Sequence, residues 1–323
     1  MDRTGRKIVA IGELLVDFVP GRPGVSVRDA ESFRRAAGGA PANAAAAAAR
    51  LGAAAAFIGR VGNDAFGRWL GDTLSGFGVD TRALVFDREA ATTLAFVSLE
   101  EDGDRDFLFY RDGTADTRLA VSDLDDGLLR SAGILHFCSI SLSREPARGT
   151  TFEAVRRAAL AGALISFDLN WRPALWPDPA EAGPLLGRAA AEAHLLKLSS
   201  DELKLLTGSS DPASAGELFG SGPLRAVVVS RGARGLTLLS GGERSDVPAW
   251  PVEAVDTTGA GDALAGAILQ QLLGRPELLD SHAALREAAR TAAAVAALST
   301  LKPGAMPSYP DRAELTGFLE RHA

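Results

Sequence analysis

The second half of the chain alternates short apolar runs with helical patterns, and this alternation restricts the fold more than any other feature of the sequence. A strand–helix–strand order at this spacing predicts a parallel sheet that is covered by helices on both faces. In such sheets, ligands bind beyond the carboxyl ends of the strands. The predicted strands are 134–137, 164–168, 194–198 and 226–230, and the predicted helices are 147–161, 179–192 and 201–206.

The first half adds further strands and a departure from this alternation. The apolar run 8–11 predicts a buried central strand, and the segment 57–59 predicts another. Between them, an alanine-rich helix begins at Pro41 and stops before Gly52, which are favoured residues at those positions. The extended segments 91–99 and 106–110 flank a polar Asp-Gly turn with no helix between them, so they predict a hairpin. Together with the segment 33–37, this hairpin predicts a small lid sheet outside the main sheet. Near the C-terminus, we expect antiparallel strands at 235–240 and 243–249 and helices at 283–299 and 313–321.

Composition limits the class of protein. The chain has 323 residues, enough for one large α/β domain, and it is 46% hydrophobic and 23% charged. Its formal net charge of −7 argues against nucleic acid or an anionic membrane as the main partner. Cys138 is the only cysteine, so an internal disulfide is ruled out, and its apolar surroundings indicate a buried small residue. The sequence has no signal peptide or membrane span, and we expect a cytoplasmic protein.

The stretch 255–266 predicts a tight turn that leads into a helix N-terminus. Gly259 and Gly261 would leave the first helical amides open to an anion, and Asp262 would lie in the first turn. An acid beside an anion site is useful to a catalyst that deprotonates a hydroxyl while it holds a phosphate. Alternatively, Asp262 only complements the helix dipole and the glycines only form a turn. The glycine spacing disfavours a dinucleotide fingerprint, and no P-loop motif occurs.

Polar side chains follow three successive predicted strands. Asp168, Asn170 and Arg172 follow one strand, Ser199 and Glu202 follow the next, and Ser230-Arg231-Gly232 follow a third. This clustering exceeds what a solvated surface would give and predicts a ligand site at that edge of the sheet. Asp17 is a lone acid in an apolar strand, where it either caps a turn or faces a polar ligand.

Two glycine-rich motifs carry a resemblance to a known family. The one near the C-terminus is Asp256-Thr257-Thr258-Gly259-Ala260-Gly261-Asp262, and the one near the N-terminus is Gly38-Gly39-Ala40-Pro41-Ala42-Asn43 with Gly59-Arg60-Val61-Gly62. The chain resembles the PfkB (ribokinase-like) carbohydrate kinases over nearly its whole length, and the two motifs occur in the family's order. The resemblance implies a single kinase domain, 1–323, with a three-layer α/β/α sandwich, a mostly parallel central sheet and lid strands at about 13–37 and 91–111.

The resemblance also implies roles for individual residues. Family members transfer the γ-phosphoryl group of ATP to a primary sugar hydroxyl, and Asp262 matches the base that removes its proton. The matching anion-hole residues are Gly259, Ala260 and Gly261, and Arg172 matches an arginine near the sugar and the transferred phosphate. The residues that match the sugar site, together with Asp262, are Asp17, Gly38, Gly39, Asn43, Phe109, Tyr110 and Arg111. Those that match the nucleotide site are Asn170, Ser199, Glu202, Ser230, Gly232, Gly235, Gly259 and Gly261.

Metal ions are implied in the same way. Mg²⁺ would bridge the phosphates and be held mostly through water, with Glu202 contributing indirectly. The family's Asn-x-x-Glu motif is Ser199-Ser200-Asp201-Glu202 here, so serine replaces the asparagine, and Ala293 stands where an asparagine often lies near the adenine. The positions that match a monovalent-cation site, with K⁺ as the expected ion, are Asp256, Thr258, Ser299, Lys302, Gly304 and Ser308.

The segments Gly12–Pro20, Phe109–Arg111 and Asp168–Trp176 look most like those of fructokinases, so we expect D-fructose as the substrate and fructose 6-phosphate as the product. A 2-keto-3-deoxygluconate kinase is the alternative, followed by a ribokinase or nucleoside kinase. Two further alternatives are a sugar-binding regulatory protein, against which the intact Asp262 motif argues, and a dinucleotide-dependent oxidoreductase, against which the glycine spacing argues. An exposed lid sheet favours a homodimer through the lid. We expect His136 and His194 in strands, and His282 and His322 at the surface.

Overall fold

A nine-stranded sheet lies at the centre of the computed structural model, which describes residues 5–22, 24–99, 105–220 and 222–322. The strands, in spatial order, are β13 (Glu243–Val247), β12 (Leu236–Ser240), β11 (Ala226–Ser230), β10 (Leu195–Ser199), β9 (Leu164–Asp168), β8 (Ala132–Cys138), β1 (Lys7–Ile11), β4 (Ala55–Gly62) and β5 (Val79–Asp87). From β11 to β5 in this order all neighbouring strands are parallel, and β12 and β13 add an antiparallel edge.

Helices cover both faces of this sheet, which confirms the predicted three-layer architecture. Side chains alternate along β1, so Ile8 and Ala10 belong to one apolar core while Val9 and Ile11 belong to the other. The first core contains residues of α1 (Ala40–Arg50), α2 (Ala65–Gly76), α7 (Ala260–Gly274) and α8 (His282–Ser299), and α9 (Arg312–Arg321) packs on α8. The second contains residues of α3 (Asp126–Ser131), α4 (Ala147–Leu160), α5 (Ala182–Glu192) and α6 (Ser200–Thr207).

A separate four-stranded sheet corresponds to the predicted lid; its strands, in spatial order, are β3 (Phe33–Gly38), β2 (Leu15–Pro20), β6 (Leu94–Leu99) and β7 (Arg105–Tyr110). The predicted turn of the lid hairpin falls mostly on residues 100–104, which lie outside the described residues. None of the helices in the described part of the chain is long and apolar enough to cross a membrane.

Strand β5 and helix α3 are absent from the sequence prediction. The edge strand β5 is only partly buried, and its short apolar run 83–86 is flanked by Asp80, Arg82 and Asp87, so the segment shows neither a long apolar run nor a strict alternation. Helix α3 is six residues long, too short for a periodic pattern, and it is held by its cap, where Asp125 accepts a hydrogen bond from the amide of Leu128 at 2.9 Å.

The prediction that His282 lies at the surface is wrong. His282 begins α8 and is buried against the β12–β13 hairpin. Its Nδ1 lies 2.8 Å from Ser240 Oγ and its Nε2 lies 2.8 Å from Ser245 Oγ. Burial is tolerated because both ring nitrogens have hydrogen-bond partners.

Helices α1 and α7 pack closely because small residues face each other at their crossing. A Cβ added to Gly266 of α7 would lie 2.8 Å from the Cβ of Ala47 and would also collide with the carbonyl oxygen of Ala44. Most of the alanine run of α1 is fully buried. The position of α7 relative to α1 therefore depends on the missing side chain at Gly266.

We expect Gly266→Ala to lower the free energy of unfolding by about 1–3 kcal/mol, because the added methyl group overpacks the α1–α7 crossing. The matched control is Gly274→Ala in the same helix, where an added Cβ would meet nothing within 4 Å. The control should raise stability by up to about 1 kcal/mol or leave it unchanged, because alanine favours helix more than glycine does. Urea unfolding of both variants measures the difference, and equal effects of the two substitutions would contradict the packing argument.

Candidate active site

The predicted anion-binding turn lies at the start of α7. Gly259 precedes the helix with a φ of 75°, a left-handed conformation that glycine adopts without strain. The buried hydroxyl of Tyr309 donates to the Gly259 carbonyl oxygen at 3.4 Å and supports the turn from below. The first amides of α7 lack partners within the helix, so together with the helix dipole they can bind an anion.

Asp262 lies in the first turn of α7, half-buried, between two asparagine side chains. Asn43 of α1 donates from Nδ2 to one carboxylate oxygen at 2.8 Å, and Nδ2 of Asn170 lies 3.5 Å from the other. Burial raises the pKa of Asp262, while Lys197, the hydrogen bond from Asn43 and Arg172 act in the opposite direction. A carboxylate that is oriented by two amides and has a raised pKa is suited to act as a general base.

Asn170 is held in a strained conformation. Its φ of 41° is the one positive value for a non-glycine residue among the described residues, and its carbonyl oxygen accepts a hydrogen bond from Ser139 at 3.1 Å. Backbone strain of this kind tends to be kept at functional sites, where surrounding contacts hold it. Here it places the side-chain amide of Asn170 beside Asp262.

Glu202 joins the ends of two strands. Its Oε1 accepts from the amide of Trp171 at 2.6 Å, and its Oε2 accepts from the amide of Ser199 at 2.7 Å. Ser199 caps α6, accepting from the amide of Glu202 at 3.1 Å. The serine that replaces the family's asparagine is therefore the N-cap of this helix.

Lys197 and Asp168 form a buried ion pair that the sequence did not predict. Lys197 Nζ lies 2.8 Å from Asp168 Oδ2, and the two residues face each other across β10 and β9. A lysine between apolar residues in a strand gives no sequence signal for such a pair. The positive charge of Lys197 lowers the pKa of Asp262, against the larger effect of burial.

The lid carries Asp17 and Phe109 on one face. Asp17, Ala95 and Phe109 fall in one row across β2, β6 and β7, so their side chains point the same way. The carboxylate of Asp17 lies against Gly38, where an added Cβ would collide with it. Gly39 follows and leads into α1, which carries Asn43. The structure thus brings the predicted sugar residues of β2, β3 and α1 together.

Two predicted sugar residues do not join this group. Tyr110 follows Phe109 on β7, so its side chain lies on the opposite lid face, where its ring packs against Phe96. Arg111 is buried; it forms an ion pair with Asp116 at 2.7 Å and donates to Ser143 Oγ at 2.7 Å. Its guanidinium is therefore committed to a network inside the protein.

Glu13, between β1 and β2, is a second buried group that the sequence did not predict. Its Oε1 accepts from the amide of Ala40 at 2.9 Å, which ties Glu13 to the start of α1 beside Gly39. Oε2 is buried and has no hydrogen-bond partner within the described residues. Burial raises the pKa of Glu13 to about 8, although Arg111 opposes the shift.

The predicted nucleotide residues follow a strand of the central sheet, whereas the predicted cation residues lie just before α7 and from the end of α8 onward. Ser230 closes β11, and Gly232 and Gly235 form the turn that follows. Asp256 accepts from the amide of Thr258 at 2.9 Å and from that of Gly304 at 2.8 Å, which joins two of the predicted cation segments. The other predicted cation residues make separate contacts: Ser299 Oγ donates to Ala296 O, Ser308 Oγ donates to Ala305 O, and Lys302 pairs with Glu314.

Comparison with known proteins identifies the family. The pfkB carbohydrate kinase family matches residues 6–312. Fructokinase-1 of Zea mays is 42% identical over 97% of this chain and 98% of its own length. A crystal structure of fructokinase with bound ATP from Xylella fastidiosa superposes with a TM-score of 0.90 at 34% identity, covering 98% of this chain and 99% of that one. A double mutant of the fructokinase from Vibrio cholerae O395, in a form with bound fructose, ADP and potassium ion, gives a TM-score of 0.88 at 34% identity over 99% and 100%.

The chain belongs to the pfkB family of carbohydrate kinases. It is a phosphotransferase that acts on a sugar hydroxyl, and it has the ribokinase-like fold that the resemblance implied.

The side chains near the predicted phosphate site fit a Mg²⁺ ion that would be bound mainly through phosphate and water. Both carboxylate oxygens of Glu202 already accept backbone amides, so Glu202 would reach the ion through a water molecule. Among the described residues, no group of three or more acidic, histidine or cysteine side chains could hold a metal by itself. Mg²⁺ often keeps several waters when it binds beside phosphates, which agrees with this set.

We expect Glu13 to make the stability of the protein depend on pH. Its folded pKa of about 8 exceeds the ordinary value of 4.5, so the native state holds a proton that the unfolded state has lost between these values. The stabilising contribution of Glu13 is complete below pH 4.5 and declines as the pH rises toward 8. Urea unfolding should show the stability of the wild type falling, relative to Glu13→Gln, from pH 5 to pH 8. Exposed Glu217→Gln serves as the control, and a difference between wild type and Glu13→Gln that stays constant with pH would contradict the argument.

Proposed function

We propose that this protein is a fructokinase, which transfers the γ-phosphoryl group of ATP to the primary hydroxyl of D-fructose and releases fructose 6-phosphate and ADP. The relatives and solved structures described above support fructose as the sugar and ATP as the donor. The observation that carries the mechanism is the position of Asp262, fixed between Asn43 and Asn170 at the first turn of α7.

The sugar would lie between the lid and α1. Asp17 supplies carboxylate oxygens from the lid, and Asn43 has a buried Oδ1 with no hydrogen-bond partner among the described residues. Asn43 can therefore accept a hydrogen bond from a sugar hydroxyl while its Nδ2 holds Asp262. Vicinal hydroxyls both donate and accept, so paired carboxylate and amide groups match them.

The transfer forms a bond between the sugar oxygen and the γ-phosphorus and breaks the bond from that phosphorus to the ADP oxygen. Asp262 takes the proton of the attacking hydroxyl. The amides at the start of α7 hold the oxygens of the transferred group, and Arg172 adds positive charge on the same side. Mg²⁺, when bound, would neutralise phosphate charge and align the donor. The nucleotide would extend toward Ser230, Gly232 and Gly235.

Three further expectations belong to this proposal. A K⁺ ion would bind near the linked segments of Asp256 and Gly304. Two molecules would pair through the lid, which exposes the side chains of Leu108 and Tyr110 on one face. A cytosolic location follows from the expected fructokinase activity and the single cysteine.

We expect Asp262→Asn to lower kcat by a factor on the order of 10²–10⁴, as for loss of a general base. Sugar binding should be largely kept, because asparagine has nearly the same shape. A coupled ADP assay measures kcat, and calorimetry with fructose measures binding. Asp72→Asn, an exposed aspartate in α2, is the control. Turnover like that of the wild type in Asp262→Asn would disprove the role of this residue.

A panel of sugars with ATP tests the substrate. We expect kcat/KM for fructose to exceed that for 2-keto-3-deoxygluconate and for ribose by about tenfold or more. A sugar whose hydroxyls do not match the site leaves buried polar groups unpaired, and this is the strongest source of discrimination between substrates. Coupled detection of ADP gives kcat/KM for each sugar. An equal or higher value for 2-keto-3-deoxygluconate would replace fructose as the proposed substrate.

A further inference from the structure

The buried ion pair of Lys197 and Asp168 is poorly explained as a stabilising feature. The Lys197 side chain is 10% exposed and the Asp168 side chain 1%. Replacing a buried ion pair with apolar side chains is often neutral or stabilising, because taking two charges out of water is costly. Packing alone would therefore favour apolar residues at these positions in β9 and β10.

The position of the ammonium group makes a purely structural role still less favourable. A Cβ on Gly261 would lie 3.0 Å from Lys197 Nζ, so the ammonium is beside the first turn of α7. The N-terminal end of a helix is its positive end, and a cation there is repelled. The site thus gathers positive charge from two independent sources, the helix start and Lys197.

The charge on Lys197 is maintained by its neighbours. Burial alone would lower the pKa of Lys197, but the carboxylates of Asp168, Glu202 and Asp262 more than offset this effect and raise it above its ordinary range. The ammonium therefore stays protonated. It has three hydrogens, and the contact with Asp168 uses one of them.

We propose that Lys197 is a further catalytic residue, whose ammonium group donates a hydrogen bond to the phosphoryl group held at the start of α7. This inference rests on the proposed kinase function. Asp168 fixes the ammonium under Gly261, and Lys197 keeps its proton throughout, while Asp262 alone takes the proton of the sugar hydroxyl. Because charge shifts onto the phosphoryl oxygens and the leaving group during transfer, a fixed cation here stabilises the transition state more than the substrates.

The test compares Lys197→Met with Lys204→Met, the same substitution at an exposed lysine of α6. Lys197→Met should lower kcat by about 10²–10³, as for loss of one preorganised donor, and leave KM for fructose within about threefold. Lys204→Met should behave as the wild type. The double variant Lys197→Met with Asp168→Asn removes both buried charges, so it keeps the test valid if Lys197→Met alone does not fold.

A binding measurement separates this role from general damage to the site. By calorimetry, we expect the folded variant to bind the non-hydrolysable ATP analogue AMP-PNP about tenfold more weakly than the wild type does, which corresponds to the loss of about one charge-assisted hydrogen bond. We expect the same variant to bind AMP, which has no γ-phosphate, as tightly as the wild type does. A folded double variant with kcat within threefold of wild type and unchanged AMP-PNP binding would overturn the proposal. These nucleotide measurements need no sugar, so a wild-type protein inactive on fructose would refute the proposed substrate and leave the test of Lys197 intact.

Discussion

The crossing of α1 and α7 is the contact on which the whole site depends. Gly266 lets α7 approach the backbone of α1, and this approach sets the hydrogen bond of 2.8 Å between Asn43 and Asp262. The two glycine-rich motifs of the sequence lie far apart along the chain, and each begins one of these helices. Packing between the two helices therefore brings Asn43 and Asp262 together. The alanine run of α1 allows the close approach of α7 in addition to favouring helix formation.

Around this crossing, several buried or half-buried carboxylates are each held in place by hydrogen-bond donors. Asp262 is oriented by two asparagines, Glu202 by two backbone amides and Asp168 by Lys197. Burial raises the pKa of Glu13, of Asp168 and of Asp262. Such a group of acids would repel a phosphate in open water. Here the start of α7, Lys197 and Arg172 place positive charge beside these acids, so the proposed base and the proposed anion site can be neighbours.

The sequence predicted the parts of the fold that have a regular local pattern. The parallel strands, the long helices and the turn before α7 follow from apolar periodicity, glycines and caps, and they lie close to the expected positions. The edge strand β5 was missed because an edge strand is half exposed and carries charges. His282 was placed wrongly because its burial depends on Ser240 and Ser245, which lie in another element.

The same division applies to the site. Asp262, Asn43 and Asn170 could be predicted because they stand in motifs or directly after strands. Lys197 could not, since a lysine inside a strand has no local sign of its partner Asp168, which is 29 residues away. Alternation along β7 could have indicated that Phe109 and Tyr110 point to opposite faces of the lid. The resemblance to the family assigned both residues to the sugar site, whereas the alternation of side chains along the strand places only Phe109 on the face of Asp17.

The replacement of asparagine by Ser199 shows which part of the Asn-x-x-Glu motif the fold requires. Ser199 caps α6 through its hydroxyl, and this cap directs Glu202 back toward the strand ends. Glu202 then accepts the amides of Ser199 and Trp171, so it fixes the end of β10 relative to the residue that follows Asn170. Either serine or asparagine can cap a helix in this way. The constraint therefore lies in the cap and in the carboxylate of Glu202, which together fix the residue that follows Asn170, whose side chain lies beside Asp262.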